Sequence, residues 1–294
     1  MADIKKKVAA NVAGEFFVDT TCIDCDTCRQ LAPATFGDDG EHAFVSQQPR
    51  NEAERRAALR ALVACPTGSI GTEPRAKLAD AIADFPMEIE PERDGVRVSY
   101  CGFTSPDSFG ASSYFVEHPQ GNWLVDSPRF NVHLEKRFEE RGGIARIFLT
   151  HQDDVADAAR WAERFGAQRI LHRHDLDSQP DAEIVIEGED EAAIGDDFLA
   201  IPTPGHTRGH MVLLLRDRYL FTGDHVWWSR GKRRLWASRS VCWHDWGEQT
   251  RSMERLLEHR FEWILPGHGE RIRRTAGEMK EDLANLVRTM REID

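Results

Sequence analysis

Hydrophobic and polar positions follow two regimes along the chain. In the first, the run NEAERRAALRALVA (51–64) places Ala57, Leu59, Leu62 and Val63 at helical intervals, and RAKLADAIADF (75–85) reads as a second helix. The segment FPMEIEPERDG follows with two prolines, several charges and few apolar residues, so 86–94 reads as a linker. From Val96 onward the pattern changes to short β-like runs, VRVSY, SSYFVEH and NWLVD. A helix is expected over 131–143, a buried strand over 144–150 and an amphipathic helix over 153–166. QRILH, AEIVIE, FLAIP, MVLLL and YLFTG supply further strands, and helices are expected over 248–260 and 275–294. Strands alternating with helices over about 200 residues predict layered α/β architecture with sheets between helices. The chain therefore divides into a small domain, 1–85, a linker, 86–94, and a larger domain, 95–294.

Composition narrows the classes. The chain has 294 residues, 40% of them hydrophobic, which is enough for a packed core and excludes wholesale disorder. Its net charge of −12 is the opposite of what a general nucleic-acid binder carries. No apolar run approaches the roughly 18–20 residues of a membrane span. The N-terminal MADIKKKVAANVAGEFF has no apolar stretch of the export type, so a cytoplasmic location is expected. A small-molecule substrate is the expected partner, not nucleic acid or membrane.

Four of the six cysteines are concentrated. Cys22, Cys25 and Cys28 form C-x2-C-x2-C, and Cys65 is followed directly by Pro66. Three thiols at two-residue gaps converge on one point, which is metal geometry, and a structural zinc site is one occupant. The stretch from Phe16 to about Gly71, FFVDTTCIDCDTCRQLAPATF and then ALVACPTGSI, resembles a single-cluster bacterial ferredoxin. That resemblance implies one Fe–S cluster, of the 4Fe-4S type, held by Cys22, Cys25, Cys28 and Cys65, with a redox partner protein among the possible associates. Helix 51–64 would pack over the cluster and deliver Cys65. Backbone amides around Asp24 and Asp26 would bond the sulfurs, and the acidic side chains either lower the potential or are solvated. Cys101 and Cys242 read as half-buried free thiols.

Chemistry in the larger domain gathers where strands end: LTHQDD (149–154), TPGHTRGH (203–210) with FTGDH (221–225), and LPGHGE (265–270). Together with GASSYFVEH and NWLVD these segments resemble the metallo-β-lactamase fold over about residues 95–270. The resemblance implies an αββα sandwich, and hence a fold of class α+β or α/β with a ferredoxin-like N-terminal domain. The family's first motif is His-x-His-x-Asp-His, and the aligned segment here is HQDDVA (151–156). His151 takes the first ligand position and Asp153 replaces the second histidine. Val155 and Ala156 replace the next two ligands. Carried over by position, one metal site would hold His151, Asp153, His206 and Asp224, and the second would keep only Asp224 and His268. That implies one ion, zinc or iron, with Asp224 and His268 as the catalytic residues. Asp154 reads as a helix-start residue whose carboxylate meets exposed amides, although it or Asp157 could turn toward the site.

The remaining histidines have plainer roles. His210 supports its loop, His172 and His174 make surface or hydrogen-bonding contacts, and His225 and His244 are candidates to orient ligands. Between Trp227 and Trp246 lie five of the eight tryptophans, interleaved with Arg230, Lys232, Arg233, Arg234 and Arg239. This block either holds an anionic, flat substrate group or packs against the ferredoxin module. DAEIVIEGEDEAAIGDD (181–197) reads as a solvated hairpin. Three functions are compatible with these features. The first is a mononuclear metal-dependent hydrolase using an activated water, with an accessory Fe–S module. The second is a redox enzyme whose cluster feeds electrons to iron or substrate. The third is a non-catalytic redox-sensing adaptor.

Overall fold

The computed structural model describes residues 2–293. The chain forms two compact units, one running to Asn122 with Ser127–Gly143, the other comprising Trp123–Asp126 and the chain from Ile144 onward.

In the first unit the order is β1 (Phe16–Val18), α1 (Thr27–Leu31), β2 (Phe36–Asp38), β3 (Ala43–Val45), α2 (Glu52–Ala64), β4 (Ile70–Thr72) and α3 (Ala79–Ala83). Then come β5 (Met87–Glu88), β6 (Arg97–Tyr100), β7 (Tyr114–Glu117) and, after the excursion into the second unit, α4 (Val132–Glu140). The α2 helix starts as its sequence requires, with the Asn51 side chain accepting from the Glu54 amide. Its sealed face is Ala58, Leu59, Ala61, Val63 and Ala64. Ala57 and Leu62, expected at the core, are half-buried, because the helix is rotated to bring alanines against its neighbours. The helix expected over 75–85 is shorter, Ala79–Ala83. Pro86 disfavours helical geometry at Phe85, and the Asp84 carboxylate pairs with Arg56 and Arg60 of α2. Within 86–94, Met87 and Glu88 pair antiparallel with Tyr100 and Ser99.

The second unit is a four-layer sandwich. One sheet contains β8 (Trp123–Val125), β9 (Arg146–Phe148), β10 (Gln168–His172) and β11 (Ile184–Ile186), paired parallel in the order β11-β10-β9-β8. The helix α5 (Ala158–Phe165) lies against β9 and β10 with Ala158, Trp161 and Ala162 buried. The other sheet has six strands in the order β12-β13-β14-β15-β18-β19. They are β12 (Ala192–Ala193), β13 (Phe198–Pro202), β14 (Met211–Leu215), β15 (Tyr219–Gly223), β18 (Trp263–Pro266) and β19 (Ile272–Arg273). A separate hairpin, β16 (Trp227–Ser229) and β17 (Arg234–Trp236), follows β15. MVLLL and YLFTG are buried throughout, as continuous apolar runs covered on both faces must be. On one face Val212, Leu214, Leu220 and Ile264 pack with side chains of α6 (Trp246–Arg255) and α7 (Ala276–Glu292). On the other, Phe198 stacks on Trp123 with ring centroids 3.9 Å apart.

Two expectations change here. Residues 181–197 do not form a hairpin, because β11 and β12 belong to different sheets. The acidic side chains there are mostly exposed, as expected, and pair at the surface, Glu183 with Arg169, Glu187 with Arg173 and Glu191 with His259. The helix expected from 153 begins only at Ala158, after a 3-10 turn over Gln152–Asp154. Among the described residues no helix is long and apolar enough to cross a membrane.

Candidate metal centre and cysteine cluster

Cys22, Cys25, Cys28 and Cys65 line one cavity in the first unit, walled by Val18, Ile23, Pro66 and Ile70. Asp24 and Asp26 adopt left-handed backbone (φ 56° and 68°), which coils the cysteine loop tightly and turns the Asp24 amide onto Cys22 Sγ at 3.4 Å. Both carboxylates pair with Arg29, so the loop charges are neutralised locally and are not freely solvated. Cys65 caps the end of α2. Burial pushes the Cys25 thiol up to about 11 and the Cys28 thiol well above its ordinary value. Thiolates in such a place are stable only against bound cations, so the donor set fits a metal cluster. Cys101 is fully buried and Cys242 donates to the Gly205 carbonyl, and neither reaches this cavity.

In the second unit the strand ends bring the other expected residues together. His206 Nε2 lies 3.4 Å from Asp153 Oδ2 and 3.7 Å from Asp224 Oδ2. His151 Nε2 lies 3.9 Å and 3.8 Å from the same two oxygens. Donor atoms of His151, His206 and Asp224 all lie within 4.8 Å of one another, a spacing that could hold a divalent ion, while Asp153 approaches both histidines but stands outside that group. The Nε2 atoms of His151 and His206 are buried and find no hydrogen-bond partner among the described residues. Burial also lowers His151 to about 4, leaving its ring neutral with a lone pair to offer. Asp126 accepts from the Thr150 amide and hydroxyl, and the Thr150 hydroxyl meets His151 Nδ1 at 2.9 Å, which aims Nε2 into the site.

A second donor group shares Asp224. Ligand atoms of Asp154, Asp224 and His268 lie within 4.8 Å of one another. His268 Nδ1 is 2.8 Å and 2.9 Å from the two Asp224 oxygens. Burial would raise the Asp224 carboxyl, but His268 beside it holds it well below the usual carboxylate range. The helix-start reading of Asp154 is therefore replaced. Its side chain caps nothing, because the chain from 152 to 154 is a 3-10 turn that swings the carboxylate inward. It is 1% exposed, both oxygens lack partners among the described residues, and burial followed by the Asp224 charge pushes its pKa well above the ordinary value. A Cβ on Gly267 would sit 2.6 Å from Asp154 Oδ2 and 2.8 Å from Asp224 Oδ1, so the glycine leaves room for the two carboxylates. The second position, expected to keep only Asp224 and His268, gains Asp154 as a third candidate donor.

The other histidines separate cleanly. His210 and His225 are buried and stacked on each other, ring centroids 3.7 Å apart, and neither joins a donor group. His172 bonds the Gly188 carbonyl, and His244 pairs with Glu248 on the surface. The tryptophan block is largely self-satisfied. Trp246 and Trp228 pack in the core with α7, Lys232 and Arg234 lie over Trp236, and Arg230 pairs with Glu270. Trp243 differs, being 65% exposed with its ring 6.1 Å from that of His206.

One unit carries a cavity lined by four cysteines and the other a sandwich whose strand-end loops gather histidines and carboxylates, which together define a chain of two modules, each with a candidate metal site. A family model described as the metallo-beta-lactamase superfamily matches residues 106–268, more than half of the chain, and the chain belongs to that superfamily. Residues 18–72 match the 4Fe-4S single cluster domain of Ferredoxin I. The lactamase-like protein adaB of Aspergillus niger is 27% identical over 195 residues, covering 63% of this chain and 57% of that protein's length. The chain thus spans little more than half of that relative. Among solved structures, the chemotaxis sensor ODP has a TM-score of 0.51 at 16% identity, covering 69% of this chain and 93% of that one. A metallo-beta-lactamase from Pontibacter korlensis has a TM-score of 0.50 at 16% identity, covering 69% and 97%.

Proposed function

We propose that the chain is a metal-dependent hydrolase with two metal positions, one of His151, Asp153, His206 and Asp224, the other of Asp154, Asp224 and His268. The observation that carries this reading is the pair of donor groups hinged on Asp224. When bound, such ions supply Lewis acidity and an acidified water. Asp224 spans both positions, and His268 can hold or release a proton at Nδ1 against it. Asp153, 43% exposed in its side chain, marks the side on which a small ester, thioester or phosphoester enters. Asp154 closes the inner side. Trp243 offers an exposed aromatic face beside His206 for a flat group on that substrate. The companion module holds one cluster of the 4Fe-4S type in a regulatory or scaffolding role, and the protein acts in the cytoplasm.

Metal analysis of protein purified without oxygen tests this. About four irons and about two further ions per chain are expected, with hydrolysis of chromogenic esters lost on substituting His206 or His268. Four irons with nothing more, and no loss in those variants, would overturn it.

A redox enzyme is the second reading, favoured by a specific contact. Gly110, inside the segment matched to the lactamase family, abuts the cluster ligand Cys25 and accepts the Thr27 hydroxyl at 3.1 Å. Three carboxylates among six donors also suit iron. The chemotaxis sensor ODP, of similar fold, has a solved structure described as a peroxy diiron species. Iron in both positions, with cluster reduction tied to turnover, would establish this reading instead.

A further inference from the structure

Asp175 stands outside both donor groups, in the 3-10 segment Arg173–Ser178 that follows β10. It is 1% exposed. A buried carboxylate is costly unless hydrogen bonds replace its water. Here one oxygen, Oδ2, accepts from the Gln152 amide at 3.0 Å and from the Thr207 hydroxyl at 2.6 Å. The other, Oδ1, accepts from the Gly209 amide at 2.8 Å. A Cβ on Gly209 would lie 2.5 Å from Oδ1, so the glycine permits the approach.

The three donors belong to two separate loops. Gln152 lies between His151 and Asp153, and Thr207 follows His206. These loops leave different sheets, after β9 and after β13, and nothing in their local sequence sets the gap between them. We infer that Asp175 is the positioning residue of the metal centre. By accepting from both loops on one oxygen, it sets the separation of His151 and Asp153 from His206 before any ion arrives. Charge-assisted hydrogen bonds of this kind are stronger than neutral ones, so the ligands are held close to their bound arrangement.

The inference rests on the proposed metal occupancy, and cobalt substitution separates the two. The full-length protein would be loaded with Co2+ at the sandwich site and its ligand-field spectrum recorded, with Zn2+ affinity measured by chelator competition. Asp175→Asn keeps the size but removes the charge and turns one of the two accepting oxygens into an NH2 that cannot accept, so the three bonds cannot all be kept. Zn2+ affinity is expected to fall about 10–100-fold, with a changed cobalt spectrum. Thr207→Val removes a single donor at constant shape, and a smaller shift in the same direction is expected. It carries the test should Asp175→Asn fail to fold, as judged by circular dichroism and cluster absorbance. Wild-type protein that takes up no cobalt would sink the metal reading and this inference with it. Uptake by wild type, with spectrum and affinity unchanged in the folded variants, would sink the inference alone.

Discussion

Gly110 approaches Cys25 so closely that a Cβ placed on it would lie 2.7 Å from the cysteine Cβ and 2.8 Å from its Sγ. Its φ of +85° already disfavours any side chain. Gly110→Ala should therefore press on the Cys25 side chain, a proposed cluster ligand. Crowding Cys25 costs about 1–3 kcal/mol beyond the left-handed backbone cost that a control can share, so iron loss to a chelator should speed up about tenfold. Gly188→Ala is the control, since its φ is +76° and nothing lies within 4 Å of its Cβ position. Equal lability in both variants would show that the contact with Cys25 is unimportant.

Asp154 carries opposite consequences for stability and for metal. Asp154→Asn removes a buried carboxyl that has no hydrogen-bond partner among the described residues and whose ionisation burial and the Asp224 charge oppose, a cost to the metal-free fold at neutral pH. The metal-free variant should melt about 2–4 °C higher than the metal-free parent, corresponding to about 1 kcal/mol. Its content of sandwich-domain metal should fall from about two ions to about one. Calorimetry and elemental analysis check the two halves, and an unchanged metal count would remove Asp154 from the site.

The Asp84 carboxylate links α3 to α2, receiving Arg56 Nε at 2.6 Å and Arg60 Nε at 2.5 Å. Arg56 first, then Arg60, hold it down at about 2, below its ordinary 3.8. A depressed pKa in the folded state means stabilisation present above pH 4 and lost as pH falls from 4 toward 2. Asp84→Asn should cost about 1 kcal/mol at neutral pH and should flatten that part of the acid-unfolding curve. Urea melts at pH 7 and pH 3 measure both effects, and an equal deficit at the two pH values would contradict the assignment.

Parallel pairing of β15 with β18, Phe221 opposite Leu265, sets Asp224 and His268 side by side just past the strand ends. Leu220 is fully buried in this pair. Leu220→Ala should destabilise the domain by about 2–5 kcal/mol. A loss below 1 kcal/mol in urea titration would mean that the site does not rest on this packing.

Cys22, Cys25, Cys28 and Cys65 were legible because a three-thiol loop is set by local spacing, and so were His151, Asp153, His206, Asp224 and His268, each just past a buried strand. Asp154 was not legible. Whether it caps a helix or faces a metal depends on the helix beginning at Ala158 instead of Asp153, and nothing in HQDDVA decides that. Helix boundaries suffered in the same way where Pro86 and the Arg56–Asp84 pair shortened α3. The acidic run at 181–197 is solvated as its composition implies, but its two strands join different sheets, which composition does not encode.

By itself the sequence determined the two modules, and it named the four cysteines that line one cavity and five of the six candidate sandwich-domain donors, since these depend on spacing and on strand periodicity. Only the tertiary structure brought Asp154 to Asp224 and His268 as a third candidate donor. It alone also placed Asp175 between the two ligand loops. Both outcomes depend on where separate strands end in space. A hydrogen bond between residues more than 20 positions apart leaves no mark in the local pattern of either one.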